Sequence, residues 1–306
     1  MAIGQNSWVT RRLMLCAAPA IAFMTVSAAA QKKPEIKAVA TISILADLAK
    51  NVGGDRAEVT SLVGPNGDAH VYEPTPGDAK KLADARIVFV NGLGLEGWMT
   101  RLVEASGTKA MVVVVSKGVA PLKMPDGREA GAVDPHAWQS IADAKVYVAN
   151  IRDGLDAVDP AGKPTYDPAA KAYLAKLDAL DKEVRTAIAG IPADRRKIIT
   201  THDAFGYFGA AYGMQFIAPE GVSTDVEPSA KDVAKIIAQI KRQKIPAVFL
   251  ENVSDPRMME EIAQETGAKI GGKLYSDALS PPSGPAGSYI EMMRHNVHEL
   301  SAALKN

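Results

Sequence analysis

The sequence predicts an α/β fold of two lobes with mainly parallel sheets, joined by one long helix. Three observations carry this. Short β-branched runs alternate with amphipathic segments from Ile36 to Val115. The same alternation restarts at Lys197 and runs to Leu304. Between them one apolar stripe, Tyr173, Leu177, Leu180, Val184 and Ile188, is spaced by four, three, four and four residues. Alternating strand and helix signals imply crossover connections and therefore parallel sheets. The stripe has the period of a single helix.

In chain order, Ile36 to Thr41 reads as a strand that enters a helix around Leu45 to Asn51. Ala57 to Val63 is a second strand, closed by a Gly/Pro/Asn turn from Gly64 to Gly67. A helix starts near Asp78 and includes Lys80 to Ala85. Arg86 to Val90 is a buried strand, Leu95 to Glu104 a helix, and Met111 to Val115 is too β-branched to prefer helix. Lys117 to Val133 is a Gly- and Pro-rich loop. Asp143 is expected to cap a helix reaching about Val158. Asp167-Pro168 is expected to start the long helix, because proline suits the first helical position, and Gly190 and Pro192 end it. Its roughly 22 residues would span about 33 Å.

The second half repeats the alternation. Strands are expected at Lys197 to Thr201, Met214 to Ala218, Ala247 to Glu251 and Ala268 to Ser276. Helices are expected at Ala204 to Tyr212, Ser229 to Lys241, Pro256 to Thr266 and Ser288 to Leu304, the second of them capped by Ser229 and Asp232. The expected division is a signal peptide over 1–30, an N-terminal lobe over 31–165, a connecting helix over 166–191 and a C-terminal lobe over 192–306. The two halves share no obvious sequence repeat.

The first thirty residues read as an export signal. Arg11 and Arg12 precede an apolar run from Leu13 to Val26, too short to span a bilayer, and then Ser27-Ala28-Ala29-Ala30. Thr10-Arg11-Arg12-Leu13-Met14-Leu15 loosely matches a twin-arginine signal. The single cysteine, Cys16, lies inside the apolar core and lacks the small residue expected before a lipidated cysteine. The mature chain is therefore expected to carry no lipid and no disulfide, and thiolate drops out as a metal ligand. The whole chain has 35 basic and 35 acidic residues. Without Arg11 and Arg12 it is slightly acidic, which gives no electrostatic case for nucleic acid or an anionic membrane.

Four residues stand at strand or loop ends, where α/β folds place their ligands. His70 follows the second strand, and His136 ends the Gly/Pro-rich loop in Asp134-Pro135-His136-Ala137-Trp138. His202 follows the Lys197 strand, and Asp277 follows the Ala268 to Ser276 strand. They divide two and two between the halves. Three imidazoles and a carboxylate make a four-coordinate shell suited to zinc. Their wide spacing matches no short-range motif such as H-E-x-x-H, so the residues alone do not establish the site and leave solvated loop positions open.

The runs Gly67-Asp68-Ala69-His70-Val71-Tyr72-Glu73-Pro74-Thr75-Pro76-Gly77-Asp78, Asn91-Gly92-Leu93-Gly94-Leu95-Glu96-Gly97-Trp98, Asp134-Pro135-His136-Ala137-Trp138 and His202-Asp203-Ala204-Phe205-Gly206-Tyr207, with Tyr212-Gly213, resemble the solute-binding proteins of zinc and manganese ABC importers. The resemblance covers essentially the whole mature chain. It implies a metal cleft between lobes held by a rigid helix, with His70, His136, His202 and Asp277 as metal ligands. It implies a periplasmic receptor, not an enzyme, that hands its ion to the membrane permease of an ABC importer. Manganese members usually carry glutamate at the third position. His202 there favours Zn²⁺ as the transported ion over Mn²⁺ or iron. Zinc members often have a His- and acid-rich loop near the second ligand, whereas 116–133 here has no histidine and only Asp126 and Glu129 as acids before Val133. A periplasmic metal donor protein is a further candidate partner, and the chain is expected to be monomeric.

Two other readings compete. Gly92-Leu93-Gly94-Leu95-Glu96-Gly97 is a G-x-G-x-x-G between strand and helix, the context of a dinucleotide site, but it follows the third strand and lacks the acidic residue about twenty positions on. A zinc hydrolase would use the three histidines as ligands and leave water in the fourth position, with Asp277 as base. His295 and His298, three apart on the last helix, read as a solvated face beside Arg294 and Glu299. Tyr72, Trp98, Trp138 and Tyr207 read as walls and core. Asp68, Glu73, Asp134 and Asp203 either orient the histidines or cap loops.

Overall fold

The computed structural model describes residue 1 and residues 36–124 and 130–305. The predicted signal segment with Cys16, and Asp126 and Glu129, lie outside the described residues. The chain divides into the units Met1–Lys32 and Lys33–Asn306, and both lobes belong to the second.

The N-terminal lobe runs β1 (Ile36–Ile42), α1 (Ser43–Gly53), β2 (Ala57–Val63), α2 (Pro76–Asp84), β3 (Ile87–Val90), α3 (Met99–Ser106) and β4 (Met111–Val114). Its four strands are parallel in the order β2-β1-β3-β4. Then come α4 (Ile141–Val158) and the long α5 (Lys163–Ala189). The C-terminal lobe runs β5 (Lys197–Ile199), α6 (Gly206–Tyr212), β6 (Gln215–Ile217), α7 (Ala230–Gln243), β7 (Ala247–Glu251), α8 (Arg257–Thr266), β8 (Lys269–Leu274) and α9 (Tyr289–Leu304). Its strands are again parallel, in the order β6-β5-β7-β8. The two sheets thus repeat one topology, the expected two-lobed α/β fold, without a repeat in sequence.

Burial follows the two periodicities. In β5, Ile198 joins the main core while its neighbour Ile199 joins a second core with Ile236, Ile240, Val248 and Met259. Successive strand residues face opposite sides, so a sheet covered on both faces needs apolar residues at every position. On α5 the predicted stripe is the buried face: Tyr173, Leu177, Leu180, Val184 and Ile188 are all within a few per cent of full burial. The helix is 27 residues long, about 40 Å at the usual rise, and packs on α1, α4 and α9. It therefore touches elements of both lobes along its length.

Several element starts differ from expectation. The long helix begins at Lys163, not Asp167. Pro164 occupies the first turn, and Pro168 lies inside the helix, early enough that it forfeits only one backbone bond. Helix α4 is capped by Ser140, whose side chain accepts from the Asp143 N–H, so Asp143 is the third helical residue and not the cap. Helix α2 starts at Pro76 under a Thr75–Asp78 capping box. Helix α3 starts at Met99 and not Leu95, because the Glu96 carboxylate turns back onto the Asn91 and Gly92 N–H groups and holds the preceding residues in turns.

The lobes are sewn together by buried polar bonds. Trp138 Nε1 and Gln139 Nε2 both donate to the Ser276 carbonyl at 2.9 and 2.8 Å. Tyr289 Oη donates to the Trp138 carbonyl at 2.7 Å, and the Leu279 N–H donates to Ser43 Oγ at 2.9 Å. A wide hinge motion would break all of these at once.

Candidate metal centre

The carboxyl ends of both sheets face the same place. His70 stands beyond β2, His202 three residues beyond β5 and Asp277 three residues beyond β8, while His136 arrives on the loop before α4. One ligand atom from each of these four lies within 4.8 Å of every other. His70 Nε2 is 3.2 Å from His136 Nε2 and 3.2 Å from Asp277 Oδ2. His202 Nε2 is 3.2 Å from Asp277 Oδ2, and His136 Nε2 is 3.6 Å from Asp277 Oδ1. The four residues singled out in the sequence are thus brought together, the three histidines with Nε2 toward the carboxylate of Asp277. His295 is elsewhere, on an exposed face of α9, with Nε2 2.9 Å from the Lys273 carbonyl.

Each buried ring is aimed by an acid behind it. Asp134 Oδ1 lies 2.8 Å from His136 Nδ1 and also accepts the His136 N–H at 2.9 Å. Gly206 makes room for this, since a Cβ there would collide with Asp134 Oδ2. His202 Nδ1 faces Glu251 Oε2 at 2.6 Å. Glu251 Oε1 accepts from the backbone N–H groups of Thr201 and His202 at 2.7 and 3.0 Å. An acid on Nδ1 turns Nε2 toward the cluster and makes it the better donor to a metal. Of the acids flagged by the sequence, Asp134 takes this role. Asp68 instead accepts the His70 backbone N–H at 2.8 Å. Glu251 was not among them, although a lone carboxylate ending the apolar strand Ala247–Glu251 was a visible anomaly.

The electrostatics are those of a site built for a cation. Asp277 is wholly buried, and among the described residues neither of its oxygens accepts a hydrogen bond from outside the cluster. A buried carboxylate left without such donors is costly unless a positive charge meets it. Burial alone would push Asp277 up, but His202 and His136 outweigh it and hold the carboxyl well below its usual range. Burial likewise opposes charge on His136, yet Asp277 and Asp134 raise it to about 9. His202 is raised well above its ordinary value, as Glu251 and Asp277 overcome its burial. Without metal, protons on His136 and His202 would balance the carboxylates around them, and a divalent ion would displace those protons.

A family model described as zinc-uptake complex component A, periplasmic, matches residues 38–303. The chain belongs to this family. Its relatives include the manganese ABC transporter substrate-binding lipoprotein PsaA of Streptococcus anginosus, 34% identical over 276 residues that cover 88% of this chain and 89% of that one. The iron-binding protein YfeA of Yersinia pestis is 35% identical over 267 residues, 87% of this chain and 86% of its own. Among solved structures, the periplasmic zinc-binding protein TroA of Treponema pallidum superposes with a TM-score of 0.84 at 32% identity, covering 89% of this chain and 100% of that one. As a member of the component A family the chain is a metal-binding receptor of the ABC-importer type, and the family is one of receptors rather than enzymes.

Local hydrogen bonding accounts for the glycine-rich run. The G-x-G-x-x-G curls so that Glu96 fills the place a phosphate would take. Its carboxylate accepts from the N–H groups of Asn91 at 2.6 Å and Gly92 at 3.0 Å, and from Thr41 Oγ1 at 2.6 Å. A dinucleotide would find those donors taken, so that reading is set aside. The same turn serves the centre. Asn91 Nδ2 donates to the Pro135 carbonyl at 2.9 Å, next to His136, and Tyr147 Oη steadies Asn91 Oδ1 at 2.6 Å. Trp98, Trp138 and Tyr207 are buried walls, as expected.

Proposed function

We propose that this chain is a periplasmic receptor that captures Zn²⁺ between His70, His136, His202 and Asp277 and delivers it to the permease of an ABC importer. The observation that carries this is the size of the cluster. Four donors at about 2.0–2.2 Å from a tetrahedral zinc lie about 3.3–3.6 Å from each other; four contacts within the cluster here measure 3.2, 3.2, 3.2 and 3.6 Å, and all the ligand atoms lie within 4.8 Å of one another. Three imidazoles favour zinc over the oxygen-preferring manganese. Asp277 lies inside the cluster and fills the fourth position, which speaks against a hydrolase that keeps that position for water. Binding needs three neutral rings and one carboxylate and no covalent step.

A second reading, manganese or iron as cargo, is favoured by one observation: PsaA and YfeA, named for those metals, are 34% and 35% identical to this chain. Elemental analysis of the protein purified from periplasm without added metal separates the two. The proposal predicts close to one zinc per chain, and manganese or iron in its place selects the second reading. Substituting Glu251→Gln should weaken zinc binding by about 10–100-fold, the usual cost of losing an outer partner of a ligating histidine. A competition titration against a chromophoric chelator measures it.

A further inference from the structure

The four side chains do not lie equally deep. The side chains of His136, His202 and Asp277 are wholly buried, whereas that of His70 keeps 5% of its surface exposed. His136 and His202 are also each backed by an acid, Asp134 and Glu251. Among the described residues no acid outside the cluster pairs with the His70 ring. His70 is held through its backbone, by Asp68 Oδ1 at 2.8 Å. The other oxygen of the same carboxylate reaches into the opposite lobe, where Asp68 Oδ2 accepts from Thr224 Oγ1 at 2.5 Å.

Thr224 lies between β6 and α7. The base of its loop is tied to the segment carrying His202: the Glu220 N–H donates to the Thr201 carbonyl at 3.2 Å, and the Asp203 N–H to the Gly221 carbonyl at 3.0 Å. A continuous path therefore runs from the His202 segment through the loop and Thr224 to Asp68 and His70. The His70 loop touches the far lobe again at Asn66, whose N–H donates to the Leu279 carbonyl at 2.9 Å and whose Oδ1 accepts from Asn252 Nδ2 at 3.2 Å. Asn66 stands four residues from the ring, whereas Asp68 binds the ligand's own backbone and the far lobe with one side chain.

We propose that Asp68 and Thr224 form a latch across the lobes that keeps His70 in the metal shell, and that its opening sets the rate at which the ion leaves. This rests on the metal-receptor reading above. A bound ion is lost one ligand at a time, and His70, the least deeply buried of the four side chains and the one with no acid behind its ring, is the ligand placed to leave first. A hydrogen bond to a carboxylate is among the stronger ones. Losing it should change the balance between latched and open forms by about 10–100-fold. Asp68 and Thr224 are positioning residues here, acting through His70 and not on the ion.

The test is Thr224→Val, which keeps the shape and removes the hydroxyl, with Thr224→Ser restoring it. Zinc release is timed by stopped-flow capture with excess chelator, and the visible spectrum of the cobalt-loaded protein reports the shell. The latch predicts release about 10–100-fold faster in Thr224→Val, near wild-type release in Thr224→Ser, and an unchanged cobalt spectrum in both. Wild-type release from Thr224→Val overturns it. So does equally fast release from Thr224→Ser, or a changed cobalt spectrum in Thr224→Val, which would mean that the shell itself had been altered. A wild-type chain that retains no zinc removes the receptor reading along with the latch, while one that retains zinc beside an indifferent Thr224→Val removes the latch alone.

Discussion

Apparent zinc affinity should climb steeply from pH 6 to pH 9, by about tenfold per pH unit for each proton displaced. An ordinary histidine would confine the dependence to below about pH 6.5. Here His136 is raised to about 9, and His202 is raised well above its ordinary value by Glu251 and Asp277. Both rings should therefore carry protons in the metal-free protein at neutral pH, and loading should expel them. With two protons displaced, the rise approaches about 100-fold per pH unit. Calorimetry in buffers of different ionisation enthalpy counts these protons directly. A value near zero at pH 7.5 would mean that the buried imidazoles are already neutral, and the electrostatic account would fail.

The same shifts fix the stability of the metal-free protein. A histidine raised from its unfolded value of about 6.5 adds stability that is fully present below that value and is lost as pH rises through the folded value. The melting temperature without metal should therefore fall from about pH 6.5, the ordinary histidine value, to about 9, the window set by His136. Asp277 works in the opposite direction at the acid end. Its depressed carboxyl adds stability above the ordinary carboxylate range that is lost only as pH falls through its lower folded value. Saturating zinc replaces the protons, so the loaded protein should show no such decline on the alkaline side.

Replacing Asp277→Ala should weaken zinc binding by more than the roughly 100-fold that an outer partner commands. It removes the only carboxylate in the cluster and the charge that holds the imidazoles together. The effect is not that of a cavity. Asp277 Oδ2 stands 3.2 Å from both His70 Nε2 and His202 Nε2, so one truncation uncouples donors from both lobes. His295→Ala is the matched control, since that ring lies on an exposed helix face against the Lys273 carbonyl. Equal losses from both variants, measured by equilibrium competition, would move the site to α9.

Much of this architecture was legible in the residues because burial imposes period. The α5 stripe and the β-branched strands announce themselves, since each must hide an apolar face. Helix starts were less legible. Asp143 and Asp167 look like caps, but Ser140 and Pro164 lie upstream and act first, and local chemistry alone does not rank two adjacent signals. The start of α3 was misplaced because its organising force is Glu96 binding the Asn91 and Gly92 amides, a contact invisible in a periodicity. In the centre, Asp134 could be suspected behind His136 because it is two residues away. Glu251 could not, because it reaches His202 across 49 positions of chain that only the sheet closes. The convergence of His70, His136, His202 and Asp277 was not in their spacing at all. It rested on the family resemblance and, in the fold, on two sheets whose carboxyl ends meet.

The most direct test is the anomalous difference density of a zinc-loaded crystal. The receptor reading predicts one ion between the Nε2 atoms of His70, His136 and His202 and the carboxylate of Asp277, at bonds of about 2.0–2.2 Å, with no water in the shell. An ion bound elsewhere, or one held by fewer than these four side chains with water in the gap, would contradict it.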